Sequence, residues 1–158
     1  NTSSKIFIEM DADFSHDPKE LKSKILFFRK RNLDLLISSR YLKKSKIINW
    51  SLQRLLFSKL SNLLAGALLK VGVTDYTNGF RVYSRRSTKL ITNKCGKIGD
   101  GFIVLSEILL MIKLNNFKIH ELPTVFVNRK RGQSSVNFSL IVQSLIGLIK
   151  LYLIIINN

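Results

Sequence analysis

The 158-residue chain is predicted to fold as an α/β domain with a mainly parallel sheet, and three features carry that expectation. Short apolar runs of strand length alternate with longer segments whose apolar residues recur at helical spacing. Apolar residues make up 46% of the chain, enough for one core and too many for a disordered, charge-rich tail. A polar turn at residues 11–17 directly follows the first apolar run, which places it at the carboxyl end of a strand, where α/β sheets gather ligands.

Residues 6–10 read as a short buried strand. Asp17 is placed to cap a helix that begins at Pro18, with Leu21, Ile25, Leu26 and Phe28 on its apolar face up to Arg31. Residues 33–38 form a second strand, followed by a basic loop around Lys43, Lys44 and Lys46. Over residues 50–70, Leu52, Leu55, Leu56, Leu60, Leu63, Leu64, Ala67 and Leu68 keep helical spacing, with Gln53, Arg54, Lys59 and Asn62 elsewhere. This predicts a long amphipathic helix whose apolar face enters the core or lies on a membrane surface. Gly72 closes it, and a turn at 75–79 leads into a strand at 80–83. Residues 84–92 are read as helical, 102–114 as an apolar helix carrying Glu107, and 118–127 as extended with Pro123 at an edge or bulge. Residues 140–156 are nearly all aliphatic, broken by Gln143, Ser144, Gly147 and Lys150. That length, about 17 residues, is the lower limit for a membrane span, and an interfacial or packed helix is favoured. The chain therefore divides into a body at 1–137 and an apolar, amphipathic or membrane-associated helix at 138–158.

The 26 Lys and Arg residues outnumber 10 Asp and Glu, for a formal net charge of +16. Such an excess suits nucleic acid, an anionic membrane surface or phosphorylated ligands. The basic residues come in short groups without interleaved aromatics, and no ribonucleoprotein-type motif or zinc finger is present, so nucleic acid is not expected as a partner. The single cysteine, Cys95, rules out an intramolecular disulfide and is read as inert, which points to a reducing compartment.

Asp11 and Asp13 lie at i and i+2, so in extended backbone their carboxylates project to one side and can face a single cation. Hard oxygen ligands suit Mg²⁺ or Mn²⁺. Turns also favour Asp for local hydrogen bonding, so the triplet alone leaves both readings open. Arg54 and Ser58 lie at i and i+4 on the long helix and can address one oxyanion together, or simply be solvated. Glu107 needs a partner within its apolar helix. His16 is read as a turn or supporting group, and His120 as structural.

Met10-Asp-Ala-Asp-Phe-Ser-His-Asp-Pro18, Ser38-Ser-Arg-Tyr41, Asn49-Trp50, Arg54-x-x-x-Ser58, Asp75-Tyr-Thr-Asn-Gly-Phe-Arg81 and Phe126-Val-Asn-Arg-x-x-Gly-x-Ser134 occur in a characteristic order. With them the chain resembles the dolichol-phosphate mannosyltransferases and related polyprenyl-phosphate glycosyltransferases of glycosyltransferase family 2, from about residue 5 to residue 151. The resemblance implies a GT-A (Rossmann-like) fold with a mixed, mostly parallel sheet flanked by helices and a C-terminal apolar helix. It also implies an inverting, metal-dependent transfer of a sugar, typically mannose from GDP-mannose, to the phosphate of a membrane polyprenol. The site would lie at the cytoplasmic face of a membrane, against its anionic surface.

By the same resemblance, Asp11 and Asp13 match the acids that hold Mg²⁺ or Mn²⁺ and the donor diphosphate. Arg129 matches an arginine on a mobile loop that closes over the donor phosphates, with Gly132 giving that loop freedom and Ser134 a hydrogen bond. Arg40, Arg54 and Ser58 match the residues around the lipid phosphate. Asp75, Thr77 and Arg81 match a further signature, in which they shape the sugar pocket or Asp75 and Arg81 form a structural ion pair. Glu107 is expected to face the active site or an arginine, with a buried structural pair as the alternative. Ser15 stands where some relatives have Gln beside the metal, residues 42–45 lack the glycines common there, and Ser135 replaces a frequent Lys. Donor and acceptor preference can therefore differ from the mannose case, and UDP-glucose is a second candidate donor. Family members carry a nucleotide-binding half ahead of the metal triplet, so the chain is expected to be part of a longer enzyme and inactive alone. The contrasting reading is a non-catalytic, basic membrane-surface module.

Overall fold

The computed structural model describes residues 3–128 and 138–157. Its elements, in chain order, are β1 (Ile6–Glu9), α1 (Glu20–Arg31), β2 (Leu35–Ser39), β3 (Lys46–Ile48), α2 (Leu52–Leu69), β4 (Arg81–Ser84), α3 (Arg85–Lys94), α4 (Phe102–Leu114), β5 (Ile119–Pro123), β6 (Val125–Val127) and α5 (Phe138–Ile156). The α/β alternation is as expected. The predominance of parallel pairing is not: the four-stranded sheet has the order β1-β4-β2-β5, and β4 runs antiparallel to both β1 and β2, leaving only β2 and β5 parallel within it. That direction is set by long-range pairing, Ile6–Glu9 against Arg81–Ser84 and Leu35–Ile37 against Arg81–Tyr83, which no local apolar pattern encodes. Ser84 ends the strand and also caps the helix by accepting from the Ser87 N–H, so the chain turns off the sheet at once. β3 and β6 form a separate parallel pair, where the sequence predicts a basic loop and one continuous extended segment.

β2 is buried along its whole length, and its alternating side chains feed two layers. Leu36 joins Phe28, Leu33 and Val82 under α1. Leu35 and Ile37 point the other way, into the larger core with Leu69, Tyr76, Leu109, Ile112 and Leu151. α4 gives that core more buried residues than any other element, because it is apolar almost all round.

Several boundaries differ from the sequence expectation for local reasons. Asp17 does not begin the helix. Its side chain accepts from the Lys19 N–H and its carbonyl from the Glu20 N–H, which holds Pro18 in a turn before α1. α2 ends at Leu69 with Lys70 in the left-handed conformation, so Gly72 follows the cap and does not form it. The apolar face of α2 is mostly outside the core: Ala65 and Leu69 are buried, whereas Leu52, Leu56, Leu60 and Leu63 are exposed. Asn62, assigned to the polar face, is buried.

α5 packs against α2 and α4. Gly147 permits the approach, since a Cβ built there would lie 2.5 Å from Ile103 Cγ1. Leu148 and Leu151 face inward, while Leu145, Ile146, Ile149 and Leu153 remain exposed. Among the described residues, no helix is long and apolar enough to cross a membrane.

Candidate functional site

A cavity of about 710 Å³ opens where the carboxyl end of β1 meets α2. One end is polar, lined by Asp11, Asp13, Arg40, Arg54, Ser58, Thr77, Asn78 and Asn128. The other end is an apolar groove between α2, α4 and α5, walled by residues such as Phe57, Leu60, Leu64, Ile103, Leu145 and Leu148. An elongated ligand with an anionic head and a hydrocarbon body matches that division.

The acidic turn is built by local hydrogen bonds. Phe14 takes a left-handed backbone conformation (φ 63°), and both the Ser15 N–H and the Ser15 hydroxyl donate to Asp13 Oδ1. Ser15, in the position of a possible third metal ligand, is therefore engaged in orienting Asp13. Among the described residues no group of three His, Cys, Asp or Glu side chains is placed to hold a metal. Two carboxylates are nonetheless a suitable protein share for Mg²⁺ or Mn²⁺, which fill their remaining positions with water and phosphate oxygens. Behind the turn, His16 is 2% exposed, packed between a tilted Phe80 ring and an edge-on Phe126 ring, and neither ring nitrogen has a hydrogen-bond partner among the described residues. Its Nε2 lies 3.9 Å from Asp11 Oδ2. Burial pulls the imidazole below its ordinary pKa, against the opposing field of Asp11, and keeps it neutral.

Arg40 projects from the end of β2 and is bound by Asp75. Arg40 Nε and Nη2 donate to the two carboxylate oxygens at 2.8 Å each, and the Arg40 backbone N–H donates to Asp75 Oδ2 at 3.0 Å. The Thr77 and Asn78 N–H groups complete the shell of Asp75. Burial alone would raise the Asp75 carboxyl, but the Arg40 guanidinium and these donors hold it below the ordinary carboxylate range. Glu121 on β5 anchors the same turn by accepting from Thr74 Oγ1 and the Thr74 and Asp75 N–H groups. Arg40 Nη2 also donates to Thr77 Oγ1, so Nη1 is the guanidinium nitrogen outside these bonds.

Arg54 enters from the first turn of α2, which Ser51 caps by accepting from the Arg54 N–H. Its guanidinium stacks on Trp50, 4.3 Å from the ring centroid, and Nη1 donates to Asn128 Oδ1. Arg40 approaches the same indole at 5.4 Å, so Trp50 sets the spacing of the two cations. One turn further on, Ser58 accepts from the Tyr41 hydroxyl.

The structure thus brings Asp11, Asp13, Arg40, Arg54, Ser58 and Thr77 to one cavity. Asp75 stands behind it as the partner of Arg40, and the Asp75–Arg81 ion pair considered from sequence is absent. Arg81 is fully buried and donates to the carbonyls of Tyr76, Asn78 and Leu105, so it braces the 75–79 turn against α4. Among the described residues, Glu107 faces neither the cavity nor an arginine. Its helix turns it toward the α3–α4 connection, where it accepts from the Gly96 N–H; burial, with a smaller contribution from the Glu107 charge, pushes the Cys95 thiol up to about 11 and leaves that cysteine protonated. Arg129 and Ser134 lie outside the described residues. Sequence reasoning missed Tyr41, Asn62, Glu121 and Asn128. Asn62 had a readable signal, because it is in helical step with Ala65 and Leu69, whereas Glu121 had none without knowledge of the β2–β5 register.

Residues 1–91 match the glycosyl transferase family 2 profile. The chain is 34% identical over 134 residues to the polyprenol monophosphomannose synthase of Mycolicibacterium smegmatis, covering 85% of this chain and 50% of that protein. It is 29% identical over 143 residues to the undecaprenyl-phosphate mannosyltransferase of Micrococcus luteus, covering 90% and 57% respectively. It spans about half the length of these curated relatives. The match across more than half of the chain, with an acid pair at a strand end opening on arginines and an apolar groove, places it in a known family: the chain belongs to glycosyl transferase family 2.

Proposed function

We propose that this chain supplies the metal and acceptor side of an enzyme that transfers mannose from GDP-mannose to a polyprenyl phosphate, with inversion at the sugar. The observation that carries this reading is the single cavity in which Asp11 and Asp13 give way to Arg40 and Arg54 and then to an apolar groove. A polyprenyl phosphate has that same sequence of parts, and the names of the two relatives describe mannose and polyprenyl chemistry.

A phosphate monoester oxygen is anionic at neutral pH, so it can attack the anomeric carbon in line without a strong general base. The new bond joins C1 to the acceptor phosphate oxygen while the bond from C1 to the donor diphosphate breaks, and the nucleoside diphosphate leaves with the electron pair. Arg40 and Arg54 would bind the acceptor phosphate and orient the attacking oxygen. Asp11 and Asp13 would hold Mg²⁺ or Mn²⁺, whose charge favours departure of the diphosphate. Arg129 and Ser134 are assigned to the donor phosphates by resemblance. The groove between α2, α4 and α5 would take the isoprenoid chain, and the exposed leucines of α2 and α5 would rest in the cytoplasmic leaflet, drawn there by the net positive charge.

The test is transfer of labelled sugar by the full-length protein to undecaprenyl phosphate, with GDP-mannose and UDP-glucose offered separately. Labelled lipid from GDP-mannose supports the reading. Transfer from UDP-glucose alone would move the assignment to a glucosyltransferase, and no transfer from either would favour a non-catalytic membrane module.

A further inference from the structure

Ser58 and Thr77 both line the polar end of the cavity, and the hydrogen bonds around them fix what each hydroxyl can do. Serines within helices commonly donate back to the carbonyl four residues earlier, as Ser61 does to Phe57. Ser58, one turn before Asn62 on the same helix, makes no such bond among the described residues. Its oxygen instead accepts from the Tyr41 hydroxyl. Thr77 Oγ1 accepts twice, from Arg40 Nη2 at 2.7 Å and from Asn62 Nδ2 at 3.3 Å, which uses both of its lone pairs. Thr77 is thereby left with only a proton to give, and Ser58 with a proton to give and one of its two lone pairs already taken by Tyr41.

We propose that Tyr41 and Asn62 are positioning residues that turn the Ser58 and Thr77 hydroxyls into hydrogen-bond donors toward an anionic oxygen in the cavity. The ligand chemistry is a phosphate monoester, and the inference rests on the reading of this cavity as the acceptor-phosphate site. A hydroxyl free to rotate binds a neutral alcohol as readily as an anion. One whose accepting side is filled favours a group that only accepts, so the arrangement selects phosphate over the uncharged polyprenol. Burial raises the Tyr41 phenol above its ordinary pKa, which keeps it protonated as a donor throughout the neutral range. Asn62 has a second task, accepting from the Tyr76 N–H, so it also holds the turn that carries Thr77.

Trp50 is the only tryptophan in the chain and stacks on Arg54, so its fluorescence reports the polar end of the cavity. Titrations with farnesyl phosphate, with farnesol and with inorganic phosphate would be compared for the 158-residue chain and its Tyr41→Phe, Ser58→Ala and doubly substituted forms. We expect Tyr41→Phe to weaken farnesyl phosphate binding about fivefold, to leave farnesol binding unchanged, and to have no further effect in the Ser58→Ala background. Circular dichroism and thermal unfolding verify that each variant is folded. Equal farnesyl phosphate affinity in wild type and Tyr41→Phe overturns the positioning role, as does a loss that persists undiminished without Ser58. Failure of the wild type to distinguish farnesyl phosphate from farnesol overturns the acceptor-site reading and this inference with it.

Discussion

Replacing Asp75 with Asn isolates the electrostatic support of Arg40. The carboxylate is fully buried and accepts from Arg40 N, Nε and Nη2 and from the Thr77 and Asn78 N–H groups. Asn conserves the shape but presents an NH₂ in place of one oxygen. Whichever way it is oriented, that NH₂ meets N–H donors, because both Asp75 oxygens are accepting. Arg40, 8% exposed, would then be a buried cation without its paired carboxylate. Breaking a buried pair from one side costs about 3 to 5 kcal/mol, which for a chain of this size lowers the midpoint of thermal unfolding by about 10 °C. Urea unfolding at neutral pH measures the free energy. The pH dependence gives the sign: the folded-state pKa of Asp75 is depressed, so its contribution is complete above the ordinary carboxylate value and is lost as pH falls through the lower folded-state value. Wild type should therefore lose more stability than Asp75→Asn in that acidic window. A loss below about 1 kcal/mol at neutral pH, with parallel pH profiles, would show that Arg40 does not depend on this partner.

Gly147→Ala should destabilise the chain by about 1 to 3 kcal/mol despite the better helix propensity of alanine, because its Cβ would meet Ile103 within the α4–α5 contact; in an Ile103→Ala background, itself less stable, the added cost of Gly147→Ala in urea unfolding should largely disappear. Arg54→Lys keeps the charge but loses the planar stack on Trp50 and the bond to Asn128, so acceptor kcat/KM in the full-length protein should fall by about tenfold or more. Leu56→Asp with Leu60→Asp, at exposed positions of α2, should abolish sedimentation with anionic vesicles while leaving the unfolding midpoint within a few degrees of wild type.

The alternation of strand and helix was legible because β2, α1, α2 and α4 each carry a strong apolar period or run. What could not be read was pairing. Nothing local in residues 81–84 says that they enter the sheet between β1 and β2 in the reverse direction, since the register depends on neighbours far away in sequence. β3 escaped notice because three residues that begin with Lys46, just after Lys43 and Lys44, have little intrinsic strand signal, and β6 supplies the pairing. At the site, the acids, arginines and hydroxyls that line the polar end of the cavity stand within motifs recognisable in sequence. Their division of labour was not legible there. Asp75 and Arg81 are equally conspicuous in sequence, yet Asp75 secures a cavity arginine and Arg81 caps backbone carbonyls behind it. Tyr41 and Asn62 were invisible as site residues because each touches the cavity only through another side chain.

The most direct test of the whole account is transfer of labelled mannose from GDP-mannose to undecaprenyl phosphate by the full-length protein, measured with Mg²⁺ or Mn²⁺ present, after chelation, and in Asp13→Ala and Arg54→Ala forms. The account predicts labelled lipid only with the divalent cation, loss of transfer in Asp13→Ala, and an acceptor-specific defect in Arg54→Ala. Undiminished transfer after chelation, or near-wild-type activity in Asp13→Ala, would contradict it.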